Sequence, residues 1–181
     1  MIEEPEAFNI SHSASAHDLQ SFPAIARVLA AALPCAEVEH VGSTAVPGCL
    51  TKGDLDVLVR VDRPDFERSA LALEDLLVSS TRNQQTAEYA EYDYSLAGVS
   101  ASVQLVVAGS AIDDHFHRLK AILKSDPEAL DRYNLLKVRH DGCDMGAYRR
   151  EKERLIDSLL AADSTAREDS SDVVLRPGIY E

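Results

Sequence analysis

The chain has no tryptophan and only three cysteines among 181 residues, and its 18 Lys plus Arg are outnumbered by 31 Asp plus Glu. Each shortage excludes something. Cys35, Cys49 and Cys143 are odd in number and widely spaced, with no CxxC. That rules out a full disulfide framework and a paired-cysteine zinc site, and it points to reduced thiols. No charged segment followed by an apolar stretch opens the chain, and no run of ~18 apolar residues is long enough to span a bilayer. The expectation is a cytoplasmic protein with no membrane partner. The formal net charge of -13 opposes loose binding to long nucleic acid or anionic lipid, through long-range repulsion. It leaves room for a small anion in a local basic pocket. What is present is ordinary for a globular domain: 45% hydrophobic and 27% charged residues, at a length that suits one core.

Apolar residues at helical spacing (Leu19, Phe22, Ile25, Ala26, Leu29, Leu33) mark a first helix. Pro23 suggests that it starts near Ser21, and Pro34 ends it. Glu37–Val41 reads as a short strand, and three glycines with Pro47 make residues 42–53 a loop, or a loop leading into a helical turn. Asp54–Val61 alternates as a strand, and Asp62 is placed to cap the helix behind it. Residues 79–88 are a polar loop. Glu88–Leu96 and Ser100–Val107 form a hairpin around Ala97-Gly98. Helices follow at about 111–124, 127–140 and 145–162, the second capped by Asp126-Pro127. The domain therefore spans 17–162, between a loosely packed segment 1–16 and a polar tail 163–181. Strands mixed with helices, then a run of helices, imply a small mixed sheet backed by helices, an α+β or α/β arrangement.

One stretch carries chemistry: His40–Val61, HVGSTAVPGCLTKGDLDVLVRV. Asp54 and Asp56 stand two apart in a strand, so they project from one face and repel each other. A divalent cation relieves that repulsion, and oxygen-only ligands suit magnesium or manganese. Gly42, directly after a strand, permits a sharp turn and a close backbone approach, while Ser43 and Thr44 offer hydroxyls and N–H groups to a phosphate. Asp-x-Asp alone is a common exposed pair, and Gly-Ser alone is a common turn. Ten residues apart and between two strands, they place a phosphate cradle beside a paired-carboxylate metal site.

That combination resembles the nucleotidyltransferase, or polymerase-beta-like, fold. Further motifs in order make the chain similar to the GrpB family, small proteins assigned to that fold: HVGSTAVPG with Leu50, Lys52 and the Asp56 strand, then VVAGS at 106–110, Asp126-Pro127-Glu128, Tyr133 with Lys137, and Tyr148 with Lys152. The resemblance covers roughly residues 17–162. It implies a nucleotidyltransferase-like α+β fold, in which the Gly-Ser turn and Lys52 hold a triphosphate and the acids hold metal. It also implies that Lys137, Tyr148 and Lys152, from helices closing over the nucleotide, contact phosphates or base. The chain departs from the pattern twice. Where the fold places a third carboxylate, Gln104 stands, a neutral amide that ligates metal without adding charge. Lys52-Gly53-Asp54 replaces the family's Lys-Pro-aliphatic sequence and restores the first acid of the pair. Asp93 or Glu91 on the neighbouring strand is a substitute for the missing acid.

Surface lysines are usually solvated and tyrosines at helical spacing usually core, so the roles of Lys137, Tyr148 and Lys152 rest on the resemblance. Tyr133/Lys137 and Tyr148/Lys152 each share a helix face, as do His117, Lys120 and Lys124. His115 and His117 do not share one, which excludes a joint zinc site. His40 reads as a support for the loop. Three functions follow: a magnesium- or manganese-dependent transfer of a nucleoside monophosphate from a nucleoside triphosphate to a small-molecule or protein acceptor, a non-catalytic nucleotide-binding module suggested by Gln104, or a protein-interaction domain using the acidic surface or tail.

Overall fold

The computed structural model describes residues 6–11, 14–96 and 99–172. In chain order the elements are β1 (Ala7–Phe8), α1 (Ala14–Ala32), β2 (Glu37–Val41), β3 (Leu55–Val61), α2 (Phe66–Glu74), β4 (Val78–Ser79), β5 (Tyr89–Leu96), β6 (Val99–Val107), α3 (Ala111–Ser125), α4 (Pro127–His140), β7 (Cys143–Asp144) and α5 (Met145–Asp172). Five strands form one mixed sheet in the order β2-β3-β6-β5-β4. Only the β3–β6 pair is parallel, with Asp56 opposite Ser102 and Leu58 opposite Gln104. The remaining neighbours are antiparallel.

Strand alternation builds the core. Leu55, Val57, Val59 and Val61 of β3 and Val103, Leu105 and Val107 of β6 pack with Ile25 and Leu29 of α1 and Leu73 of α2. These side chains are buried or nearly so, and such burial removes apolar surface from water at roughly 25 cal/mol per Å². On the opposite face Val41, Leu58 and Val106 meet Ile112 and Phe116 of α3. A separate cluster joins α3, α4 and α5 to Val46 of the loop after β2. The C-terminal helices thus stand over the sheet face away from α1 and leave a cleft between.

Several expectations need correction. Pro23 does not start α1 but sits inside it. The ring is exposed while Ile25, Leu29 and Leu33 are buried on another face, so burial of that stripe outweighs one missing backbone bond. Asp62 makes no capping bond; a tight turn over Arg63–Asp65 with Pro64 comes first, and α2 begins at Phe66. Asp126 does cap α4, accepting from the N–H groups of Glu128 and Ala129 at 2.9 and 3.2 Å. Ala97-Gly98, the expected hairpin turn, lies outside the described residues.

The terminal segments also differ. Ala7 and Phe8, expected in a loosely packed segment, pair with Asp144 and Cys143. Phe8 is buried and stacks on Tyr148 at 3.8 Å between ring centroids. The Phe8 carbonyl accepts from Gly142 N–H at 2.7 Å, the Glu6 carbonyl accepts from Met145 N–H at 2.8 Å, and Ser11 N–H donates to the Thr51 carbonyl at 2.8 Å. At the other end α5 runs past residue 162 to Asp172, steadied by Arg118, which donates to Asp163 at 3.1 Å and Ser164 at 2.7 Å. The remaining tail, 173–181, lies outside the described residues. Among the described residues no helix is long and apolar enough to cross a membrane.

Candidate nucleotide and metal site

β2 ends at Val41, opposite Asp56 in the neighbouring strand. The next residue, Gly42, turns the chain with φ +70°. A β-carbon there would lie 2.0 Å from Asp56 Oδ2. Glycine is therefore required twice over, by the backbone conformation and by the carboxylate packed against it. The loop then makes one tight turn over Ser43–Ala45. Ser43 and Asp56, thirteen positions apart in the sequence, line the same cleft of about 870 Å³.

The two acids are not equivalent. Asp56 lies in β3 between β2 and β6, and enclosure raises its pKa above the usual carboxylate range. Lys152 acts against that rise and Asp54 adds to it. Asp54 precedes the strand, is exposed, and pairs with Lys52 at 2.5 Å. The pair does share the cleft, but one member faces solvent. Among the described residues no group of three or more His, Cys, Asp and Glu is arranged to hold a metal ion. The two carboxylates remain hard oxygen donors that suit one magnesium or manganese ion, with Gly42 leaving room where any side chain would press on Asp56.

Gln104 is buried on the same sheet face. Its Nε2 donates to Ser102 Oγ at 2.8 Å and approaches Asp56 Oδ1 at 3.5 Å. Its Oε1 is sealed from water and has no partner among the described residues. The substitute acids of β5 are already engaged. Glu91 accepts from Arg82 Nε at 3.0 Å, from Ser102 Oγ at 2.8 Å and from Asn83, and Asp93 also pairs with Arg82. Burial opposes ionisation of Glu91, but the hydrogen bonds from Asn83 and Ser102 and the Arg82 charge outweigh it and lower its pKa. Arg82 and Asn83 come from a polar loop without periodicity, so spacing singled out neither.

The loop is supported from behind. Lys137 is almost wholly buried beneath it, donating to Ser43 Oγ at 2.6 Å and to the Leu50 carbonyl, with Cys49 Sγ at 3.4 Å and the Tyr133 ring 4.4 Å away. Burial pushes the Lys137 pKa down to about 8, with Cys49 acting the other way. Thr44 is buried too; its hydroxyl meets His40 Nε2 at 2.8 Å, and the His40 ring stacks on Phe22. Lys137 and Thr44 thus shape the loop from beneath and do not line the cleft, whereas Lys52, Tyr148 and Lys152 do. Lys120 is held at the His40 carbonyl at 2.8 Å. His117 leaves the metal question altogether, bonding Glu39 at 2.9 Å.

A solved GrpB protein from Enterococcus faecalis superposes with a TM-score of 0.62 over 85% of this chain and 97% of its own, at 16% identity. The Cid1 poly(U) polymerase, solved with MgGTP bound, superposes at 0.52 and 18% identity over 71% of this chain. This chain spans only 43% of that polymerase, so the likeness concerns the shared nucleotidyltransferase-like fold. A UPF0157 protein of Vibrio cholerae is 33% identical over 133 residues, 73% of this chain and 70% of the relative. A family model described as GrpB protein matches residues 13–162, and the chain belongs to that family.

Proposed function

We propose that the cleft binds a nucleoside triphosphate with one magnesium or manganese ion and transfers the nucleoside monophosphate to a small-molecule or protein acceptor. The observation that carries this reading is the contact of Gly42 with Asp56: the phosphate-type turn and the carboxylate are built against each other, as the chemistry requires. The backbone at Gly42-Ser43 and the Lys52 ammonium are the groups that would hold the β- and γ-phosphates. Lys152, on α5, faces Asp56 from across the cleft and offsets phosphate charge. Tyr148, fixed by its stack on Phe8, offers a flat edge to the nucleotide. Asp54 and Asp56 would hold the cation, which when bound supplies positive charge at the phosphoryl group under attack. Lys137 keeps Ser43 in place without touching the ligand.

A second reading, nucleotide binding without transfer, draws on Gln104, since a neutral amide replaces a charge that usually supports the reaction. Calorimetry with ATP, GTP, CTP and UTP tests the shared part. At least one should bind, more tightly with magnesium, and Asp56→Ala should weaken that binding at least tenfold. The proposal fails if none of the four binds and Asp56→Ala changes nothing. Pyrophosphate release that Asp54→Asn abolishes separates transfer from binding alone.

A further inference from the structure

The missing third carboxylate leaves an oxygen behind, and its direction is set by Ser102 on the same strand and Glu91 on the next. Glu91 is a carboxylate and only accepts hydrogen bonds, so the hydroxyl of Ser102, 2.8 Å from it, must donate. Having spent its one hydrogen, Ser102 Oγ accepts from Gln104 at 2.8 Å, and also from Arg82 at 3.4 Å. Gln104 must therefore turn its NH2 group toward Ser102, which leaves Oε1 as the end without a partner. The same orientation puts Nε2, not Oε1, next to Asp56. A cation on Asp56 would meet N–H groups there, so the amide oxygen is poorly placed to join it as a ligand. A buried acceptor without a donor is destabilising, a cost that a bound donor removes.

We propose that Gln104 is a positioning residue for the acceptor: Oε1 receives a hydrogen bond from the hydroxyl or amine that attacks the nucleotide, and the acceptor is accordingly an alcohol or an amine rather than a phosphate or carboxylate. This rests on the transfer reading above. Glu91 and Asp93 are already paired with Arg82, so the discrimination comes from Oε1 itself, which accepts a hydrogen bond from an alcohol or amine and finds no donor on a deprotonated phosphate or carboxylate. In the reaction the acceptor's oxygen or nitrogen bonds to the α-phosphorus, the bond from that phosphorus to the bridging oxygen breaks, and pyrophosphate leaves. The acceptor's proton passes to water. Gln104 orients the donor and gains no proton. Its oxygen is sealed in the free chain, so a donor reaches it only when neighbouring side chains move aside.

The test reads the Gln104 side-chain amide by NMR in the full chain, its signals identified by their loss in Gln104→Met. Glycerol and ethanolamine are the donor probes and acetate the anionic control, each titrated with and without Mg-ATP. Saturable shifts with glycerol and ethanolamine but not acetate are the expected result. Ser102→Ala, which frees the amide to turn, should lose that selectivity, and Ser102→Thr, which keeps a hydroxyl, should restore it. The proposal is overturned if acetate shifts the amide as strongly, if neither donor shifts it, or if magnesium alone does so at saturation, which would make Oε1 a metal ligand. ATP titration in the same samples separates the two readings. Donor shifts without any ATP binding would defeat the nucleotide reading alone, and ATP binding without donor shifts would defeat this one alone.

Discussion

The two faces of β3 differ in kind. Leu55, Val57, Val59 and Val61 present one uniform apolar stripe to α1 and α2. Asp56, Leu58 and Arg60, on the other face, present an acid to the cleft, an aliphatic side chain to α3, and a guanidinium that donates to Asp113 at 2.7 and 3.0 Å. The first face is held by area, which any well-shaped hydrophobe supplies. The second is held by individual partners, each of which must be the right residue in the right place. Stability is concentrated on the first face, and the residues of the proposed ligand chemistry lie on the second.

That division is open to attack, beginning with the apolar stripe. Leu55→Ala should cost ~2–5 kcal/mol in urea unfolding, the range for a fully buried leucine that leaves a cavity. A cost near zero would mean the stripe is not what holds the sheet. Gly42→Ala joins the two faces' concerns, because it strains the turn and presses on Asp56. A loss of ~2–3 kcal/mol is expected, together with failure to bind Mg-nucleotide in calorimetry.

His117→Asn should act through pH. Burial lowers the His117 pKa, but the bond to Glu39 and the contact with Asp113 outweigh it and raise the pKa. A raised histidine stabilises fully below its unfolded value of ~6.5 and stops as pH climbs through the folded value. The variant should therefore lose about 0.5 kcal/mol near pH 5.5 and nothing at pH 9, the small size reflecting a partly exposed, screened pair. Smallest of all, Asp56→Asn should raise the urea midpoint slightly at neutral pH. A carboxylate with a raised folded pKa costs stability once pH exceeds its unfolded value of ~3.9, so the gain should fade at pH 3. Any gain bought at the expense of Mg-nucleotide binding would place Asp56 among residues kept for function.

Legibility followed the same line. Period-two alternation located β2 and β6 to within a residue, and Asp126-Pro127 located the start of α4, because those signals are local. Gly42, Asp54 and Asp56 stood out as candidates because their motif spacing is itself a local pattern. Spacing along α4 put Lys137 and Tyr133 on one face but said nothing of what covers that face, so the burial of Lys137 beneath Ser43 emerged only in three dimensions. Glu91 and Asp93 stood out as acids sharing a strand face. Their capture by Arg82 depends on a loop with no periodicity, and the orientation of Gln104 depends on both. Pro23 misled because a proline's local cost is visible in sequence while the burial that offsets it is not.

The pairing of β1 with β7 has a consequence for the order of assembly. Residues 6–10 are synthesised long before 141–145, yet their partners are the carbonyls, N–H groups and Asp141 side chain of that late segment, with Ile10 N–H bonding Asp141 at 2.8 Å. On a ribosome residues 6–10 lack these partners until the α4–α5 turn has emerged. Phe8 then seats against Tyr148, so the backing of one cleft wall joins two stretches made far apart in time.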